Sequence, residues 1–272
     1  MQMKKEKKAN KEADSFPIDK KISRAVGRAV ADFSMIRDGD RILVGLSGGK
    51  DSNLLAYALA RLRRRTPVRF ELAAVSVDPT DGRADFAEGA RFAASLGIPH
   101  EVVRHPIFEI LERAKNAKKT SPCSLCANIR RGILANAATE SGCNVLALGH
   151  HLDDAVETVF LNLLYAGRFA CFEPHMTMSR TGVRVIRPLI YVPEDAIART
   201  ARRMGWQLLD LGCGYAAASS RAAVKDAICN LSGIARDLRG NVIHALKENR
   251  GEGAWGRLET EAAMEDGTHD FY

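Results

Sequence analysis

Two groups of residues in this chain have the types and spacing to do chemistry. The first is Ser47-Gly48-Gly49-Lys50-Asp51-Ser52. Glycines let backbone N–H groups converge on anionic oxygens, and a helix N-terminus adds partial positive charge. Lys50 supplies a mobile cation, and the Ser47 and Ser52 hydroxyls can donate further hydrogen bonds. The implied ligand is a phosphate. The second group is Cys123-Ser-Leu-Cys126, spaced so that a helix start points two sulfurs at one ion.

The loop needs a strand before it and a helix after it, and the sequence provides both. Ile42, Leu43, Val44 and Leu46 read as a buried parallel strand, and Leu54, Leu55, Tyr57, Ala58 and Leu59 as a helix. Two common glycine patterns do not fit. Only three residues separate Gly45 from Gly49 where a Walker A motif needs four, and G-x-G-x-x-G is absent.

The cysteine pair alone leaves a redox dithiol, half a zinc site and part of an iron–sulfur site open. A thioredoxin-like dithiol would follow a strand early in a βαβ unit, whereas this pair follows the basic turn Lys118–Pro122. No second C-x-x-C exists to complete a zinc site, and Cys213, beside Gly214, is the best third ligand by loop position. Cys143, Cys171 and Cys229 are read as packing residues. Three thiolates without an evident fourth suit a cubane cluster with one iron left open, a place where exogenous sulfide could bind; zinc stays as the alternative.

Around these groups, strands and helices alternate. An amphipathic helix is expected over Lys20–Met35, strands over Phe70–Val77, His100–Arg104, Asn144–Leu148, Val183–Ile186 and Trp206–Leu209, and helices between and after them. The fold class is therefore α/β, a doubly wound parallel sheet with an N-terminal amphipathic helix and its ligand at the strand C-termini. Three regions are expected: a basic flexible arm over 1–19, one domain over 20–240 and an acidic tail over 241–272.

The chain has 272 residues, 46% hydrophobic and 27% charged, as in an ordinary soluble protein. No apolar run is long enough to span a bilayer and no signal peptide opens the chain, so a cytoplasmic location with reduced or metal-bound cysteines is expected. Net charge is +7, but residues 1–30 carry +5 and residues 251–272 carry −5. That asymmetry favours a polyanionic partner away from the tail.

The loop matches the Ser-Gly-Gly-x-Asp-Ser signature of the PP-loop ATP pyrophosphatases, and from about Lys20 to Asp226 the chain resembles the tRNA 2-thiocytidine synthetases among them. The resemblance is carried by Val26–Asp40, Leu46–Ser52, Cys123-Ser-Leu-Cys-Ala-Asn-Ile-Arg-Arg-Gly132, Leu148-Gly-His-His-Leu-Asp-Asp-Ala-Val-Glu-Thr158, Asn162–Arg168, Ile186-Arg-Pro-Leu189 and Cys213-Gly214.

The resemblance implies ATP-dependent thiolation of cytidine 32 in tRNA to 2-thiocytidine, with release of AMP and pyrophosphate. Ser47, Gly48, Gly49, Lys50, Asp51 and Ser52 would cradle ATP, with Val77 and Asp78 bordering the adenine and Gly149 and His150 lining the site. Lys50, Asp51, Asp153 and Asp154 would carry the catalysis, the carboxylates serving Mg²⁺ or positioning the nucleophile. Cys123, Cys126 and Cys213 would ligate a [4Fe–4S] cluster. Lys20, Lys21, Arg24 and Arg28, with Lys7 and Lys8 of the arm, would meet RNA phosphates; Arg130 and Arg131 would do so too unless they form a solvated helix face. The implied partners are tRNA and a cysteine-desulfurase-type sulfur donor, with a homodimer as a candidate assembly and no membrane. The chain departs from the family at Asp210, where a second cysteine usually stands three residues before the last ligand. A PP-loop thiolase or ligase acting on another tRNA base or a small molecule is the nearest rival. A non-catalytic nucleotide or iron–sulfur module is the more distant one.

Overall fold

The computed structural model describes residues 18–114, 122–209, 220–249 and 251–256. Six strands form one sheet: β1 (Asp40–Gly45), β2 (Phe70–Asp78), β3 (His100–Arg104), β4 (Val145–Ala147), β5 (His175–Thr177) and β6 (Arg184–Ile186). The spatial order is β3-β2-β1-β4-β6-β5, parallel except for β5 against β6. The order reverses between β1 and β4, and a doubly wound sheet opens its ligand crevice at that switch point. The loop after β1 and the loop after β4 meet there.

The helices are α1 (Lys20–Asp32), α2 (Lys50–Arg63), α3 (Ala87–Ser95), α4 (Ile107–Ala114), α5 (Pro122–Glu140), α6 (Leu152–Ala166), α7 (Glu194–Arg203), α8 (Ser220–Ser232) and α9 (Leu238–Glu248). One sheet face packs Ile42, Val44, Leu72, Val145 and Ile186 with α1, α2, α6, α7 and α9. The other packs Leu43, Val75, Leu146 and Val185 against Leu134, Ala137 and Ala138 of α5. The alternation along β1 follows from the two-residue period of a strand covered on both faces. Helix α2 is buried at every position from Ser52 to Arg61, which explains its near-continuous apolar sequence.

Three expectations are corrected. Trp206–Leu209 is not a strand, because its backbone bonds go elsewhere: Trp206 N–H donates to Ala201 O (3.2 Å) and Leu209 N–H to Gly48 O (3.1 Å). The boundary at 240 falls inside α9, whose Ile243 and Leu246 join the core. Trp255 extends that body, its backbone N–H donating to Leu246 O (2.7 Å) and its indole N–H to Phe172 O (3.0 Å). Cys229 is exposed on α8, so it is not a packing residue, whereas Cys143 and Cys171 are buried. The arm residues Lys7 and Lys8, and Asp210, Cys213 and the end of the tail, lie outside the described residues.

Candidate active site

The loop after β1 is a compact turn built on its own serines. Ser47 donates from its backbone N–H and its hydroxyl to Ser52 Oγ (3.1 Å each), and Ser52 Oγ donates to Gly49 O (2.9 Å). Gly48 turns the chain at φ +79°, a conformation that costs side-chain-bearing residues about 1–2 kcal/mol. Gly49 is the N-cap of α2 and offers no side-chain cap, so the positive end of the helix faces the crevice.

The loop after β4 lies directly against this turn. A Cβ on Gly149 would stand 3.2 Å from the Asp51 carbonyl carbon and from the Ser52 nitrogen, which is why the position needs glycine. Helix α6 then starts with a capping box: Asp154 N–H donates to His151 Nδ1 (3.4 Å), and His151 N–H donates to Asp154 Oδ2 (3.0 Å). An Nδ1 that accepts leaves the proton of the neutral ring on Nε2. That nitrogen lies 3.4 Å from Asp154 Oδ2 and 3.7 Å from Asp51 Oδ1. His151 Nε2 therefore lies between the two carboxylates, nearer Asp154 and beyond hydrogen-bond distance of Asp51.

The paired aspartates have separate surroundings. Asp153 is buried with both oxygens engaged, Oδ2 by Glu194 N–H (2.6 Å) and Oδ1 by Arg239 Nε (2.6 Å). It fastens α6 to the starts of α7 and α9. Asp154 faces the crevice, with Oδ1 accepting from Arg221 Nη1 (3.1 Å), which also donates to Glu157 Oε2 (3.0 Å). Burial raises the Glu157 pKa despite Arg221.

Lys50 places its ammonium within 3.2 Å of both Asp51 oxygens and 3.2 Å from Glu194 Oε1. Burial works against its charge, but the two carboxylates outweigh it and raise the lysine pKa. Glu194, the first residue of α7, lies outside every motif, so the sequence alone does not mark it. Burial opposes its charge as well, yet Lys225 and Lys50 hold its pKa down at about 2.

His150 points away from His151. Its ring packs on Phe172 at 5.0 Å between centroids, and its Nδ1 is buried without a hydrogen bond among the described residues. Burial first, then the charges of Arg187, Arg131 and Arg221, lower its pKa well below the ordinary value. Arg187 is itself buried over the Phe172 ring (4.9 Å), which brings its pKa down to about 10. Asp78, expected at the adenine edge, spends its carboxylate on its own turn. Oδ1 accepts from Thr80 N–H and hydroxyl (2.8 and 2.6 Å), and Oδ2 from Gly82 N–H (2.6 Å). Burial would raise its pKa, but these bonds hold it below the usual value. Val77 is half-buried beside it.

Cys123 and Cys126 occupy the first turn of α5, exposed and half-buried respectively. Pro122 opens that helix, where its missing N–H costs nothing. Two thiols outside any disulfide at this spacing fit the soft donor set of an iron–sulfur cluster or zinc, while no group of three metal-binding side chains forms among the described residues. Cys171 is unsuited, since burial pushes its thiol up to about 12.

Of the expected RNA contacts, Lys20, Lys21 and Arg24 are exposed on α1. Arg28 lies over the Tyr191 ring at 4.5 Å, a cation–π contact that ties α1 to the core. Arg130 and Arg131 are half-buried rather than on a solvated face, and Arg130 Nε is buried without a hydrogen bond among the described residues. No helix among the described residues is long and apolar enough to cross a membrane.

The sheet order, the serine-braced glycine turn and the lysine on the first helical residue define a PP-loop nucleotide-binding domain, and the PP-loop domain family model matches residues 18–230. The tRNA-cytidine(32) 2-sulfurtransferase of Alkalilimnicola ehrlichii is 40% identical over 244 residues, covering 89% of this chain and 69% of that protein. The protein of the same name from Geobacter sulfurreducens is 45% identical over 196 residues, covering 71% and 75%. The chain belongs to the tRNA-cytidine(32) 2-sulfurtransferase family of PP-loop proteins. Among solved structures it is similar to the U34-tRNA thiolase NcsA from Methanococcus maripaludis with its [4Fe-4S] cluster. There the TM-score is 0.68 at 25% identity, over 88% of this chain and 84% of that one.

Proposed function

We propose that this protein uses ATP to replace the C2 oxygen of cytidine 32 in tRNA with sulfur. The observation that carries the reading is the meeting of the PP-loop, the α6 capping box and Lys50 at one switch point, in a chain of this family. The C2 oxygen is a poor leaving group and must be activated. It attacks the α-phosphorus of ATP, the bond from that phosphorus to the β-bridging oxygen breaks, and pyrophosphate departs. A sulfur nucleophile at the sulfide level then adds at C2, the C2–O bond breaks, and AMP leaves.

This chain's residues serve the first step. The loop amides and the α2 N-terminus bind the departing pyrophosphate, and Lys50 adds a cation close to it. Asp51 and Asp154, which flank His151 Nε2, are the carboxylates placed to receive Mg²⁺. Gly149 and His150 line the crevice, with the His150 ring packed on Phe172. Cys123 and Cys126, with Cys213, would hold a [4Fe–4S] cluster, which when bound supplies an iron with an open position for sulfide. Lys20, Lys21 and Arg24, with Arg130 and Arg131 nearer the crevice, would meet RNA phosphates, while Arg28 serves mainly to fix α1. The sulfur would come from a cysteine-desulfurase-type donor. A homodimer could cover Leu163, Leu164 and Tyr165, which are exposed together at the end of α6.

The test is mass spectrometry of tRNA nucleosides from a strain lacking this protein and from its complemented parent. 2-Thiocytidine should vanish and return. If it is unchanged while another thiolated nucleoside disappears, the reaction class stands and the named base is wrong.

A further inference from the structure

We propose that Glu194 builds a second phosphate-binding lysine into the nucleotide site: its carboxylate joins Lys50 of α2 to Lys225 of α8, and Lys225 binds the polyphosphate of ATP beside Lys50. The inference rests on the ATP-binding part of the reading above and on no statement about the RNA base.

Glu194 is fixed before its side chain acts. Its own N–H donates to Asp153 Oδ2 (2.6 Å), Arg239 holds the other oxygen of Asp153, and Leu152 N–H donates to Val192 O (3.1 Å). The start of α7 is thus fastened to the start of α6, beside the crevice. From that base the two carboxylate oxygens divide. Oε1 lies 3.2 Å from Lys50 Nζ and Oε2 accepts from Lys225 Nζ at 2.5 Å. One carboxylate therefore separates the two ammonium groups, and the charge of Lys50 bears on Lys225.

Helix α8 is held in register for this. Val224 and Ile228 are buried against Val156 and Phe160 of α6. One turn before Lys225, Arg221 reaches Asp154 and Glu157. The face that α8 turns toward the crevice is cationic at both positions, and the carboxylates it meets belong to the nucleotide site.

An ammonium has three donors. Lys225 gives one to Glu194, and its side chain remains half exposed, so it can keep that bond while offering donors to phosphate oxygens. Lys50 divides its donors between Asp51 and Glu194 and has less to offer alone. A surface ion pair with only a stabilising role would be worth little; this one orders two cations next to a polyphosphate cradle. Glu194 is thus a positioning residue, and Lys225 a binding residue.

The experiment measures binding of a non-hydrolysable ATP analogue with Mg²⁺ to the full chain by calorimetry, alongside tRNA binding and thermal melting. Lys225→Met should weaken the analogue about ten- to a hundred-fold, as loss of a charge-assisted contact to phosphate does, with tRNA affinity and melting little changed. Lys225→Arg, which keeps the charge and the bridge, should recover most of the affinity. Glu194→Gln should weaken the analogue as well, and the effects of Glu194→Gln and Lys225→Met should be non-additive because one acts through the other. Wild-type analogue affinity in Lys225→Met overturns the proposal. So does loss of tRNA affinity with analogue binding intact, which would make Lys225 an RNA contact, and so does failure of Lys225→Arg to recover binding. A chain that makes no 2-thiocytidine but shows these shifts would refute the thiolation reading and leave this one standing.

Discussion

Asp153→Asn and Asp154→Asn should separate into a stability lesion and a catalytic one, although the two residues are adjacent and chemically identical. Asp153 is 7% exposed, and its two oxygens accept from Glu194 N–H and Arg239 Nε at 2.6 Å each. Each bond to the charged carboxylate contributes about 1.5–3 kcal/mol. An asparagine keeps one of them through its amide oxygen and turns an NH₂ donor toward the other donor. Arg239 is partly exposed and can rehydrate, so the net cost is about 2–4 kcal/mol. At about 2–4 °C per kcal/mol for a chain of this size, the melting point should fall by about 5–15 °C. Asp154 loses less on conversion to Asn, about 1 kcal/mol of capping, since its oxygens are engaged by an exposed arginine and one N–H. Its effect should appear in turnover, as the loss of the carboxylate that faces Asp51. Differential scanning calorimetry and the rate of 2-thiocytidine formation measure both variants. An Asp153→Asn protein that melts like wild type but does not turn over would refute this division of roles.

Gly48→Ala should weaken ATP binding at least tenfold, because the new Cβ would stand 2.7 Å from Leu209 Cβ and the residue sits at φ +79°. Calorimetric titration with an ATP analogue reads this, and Leu209→Gly in the same chain should return the steric part but not the backbone part. Protein purified without air should hold about four irons per chain. Cys123→Ser, Cys126→Ser and Cys213→Ser should each lose them, while Cys171→Ser and Cys229→Ser keep them; stoichiometric zinc in the wild-type protein would refute the iron–sulfur assignment.

The central strands were legible because they are buried on both faces and read as short apolar runs, with Phe70–Asp78 found nearly to the residue; the edge strand His100–Arg104, with no buried residue, was legible as well. Trp206–Leu209 has the same apolar and extended character but serves a different purpose. Trp206 packs edge-on against Tyr57 and Phe92, and Leu209 bonds to the loop, so local pattern could not tell it from a strand. Strand β5 has three residues and a single antiparallel neighbour, too little for a periodic signal. Within the site, the glycine loop and the aspartate pair carry their chemistry in consecutive residues and could be read directly. The unequal duties of Asp153 and Asp154 could not, since they depend on Glu194 and Arg239, which are distant in sequence. His151 was passed over for His150 for a similar reason: only the helix start shows which ring turns toward Asp51.

The same long-range contacts bear on how a cysteine from a separate segment can serve the nucleotide site. Residues 210–219, which include Cys213, lie between two stretches that are both fastened to it. On one side Leu209 N–H donates to Gly48 O (3.1 Å) of the PP-loop. On the other, Arg221 bonds to Asp154 and Glu157, and Lys225 to Glu194. Leu209 is thus the described residue nearest Cys213 in sequence, and its bond is to the loop proposed to bind ATP, while Cys123 and Cys126 lie on α5. A perturbation of the loop such as Gly48→Ala acts through Leu209 on the anchor nearest Cys213, so it should reduce iron retention as well as ATP affinity. Lys50→Ala leaves the Leu209 bond in place and should spare the iron.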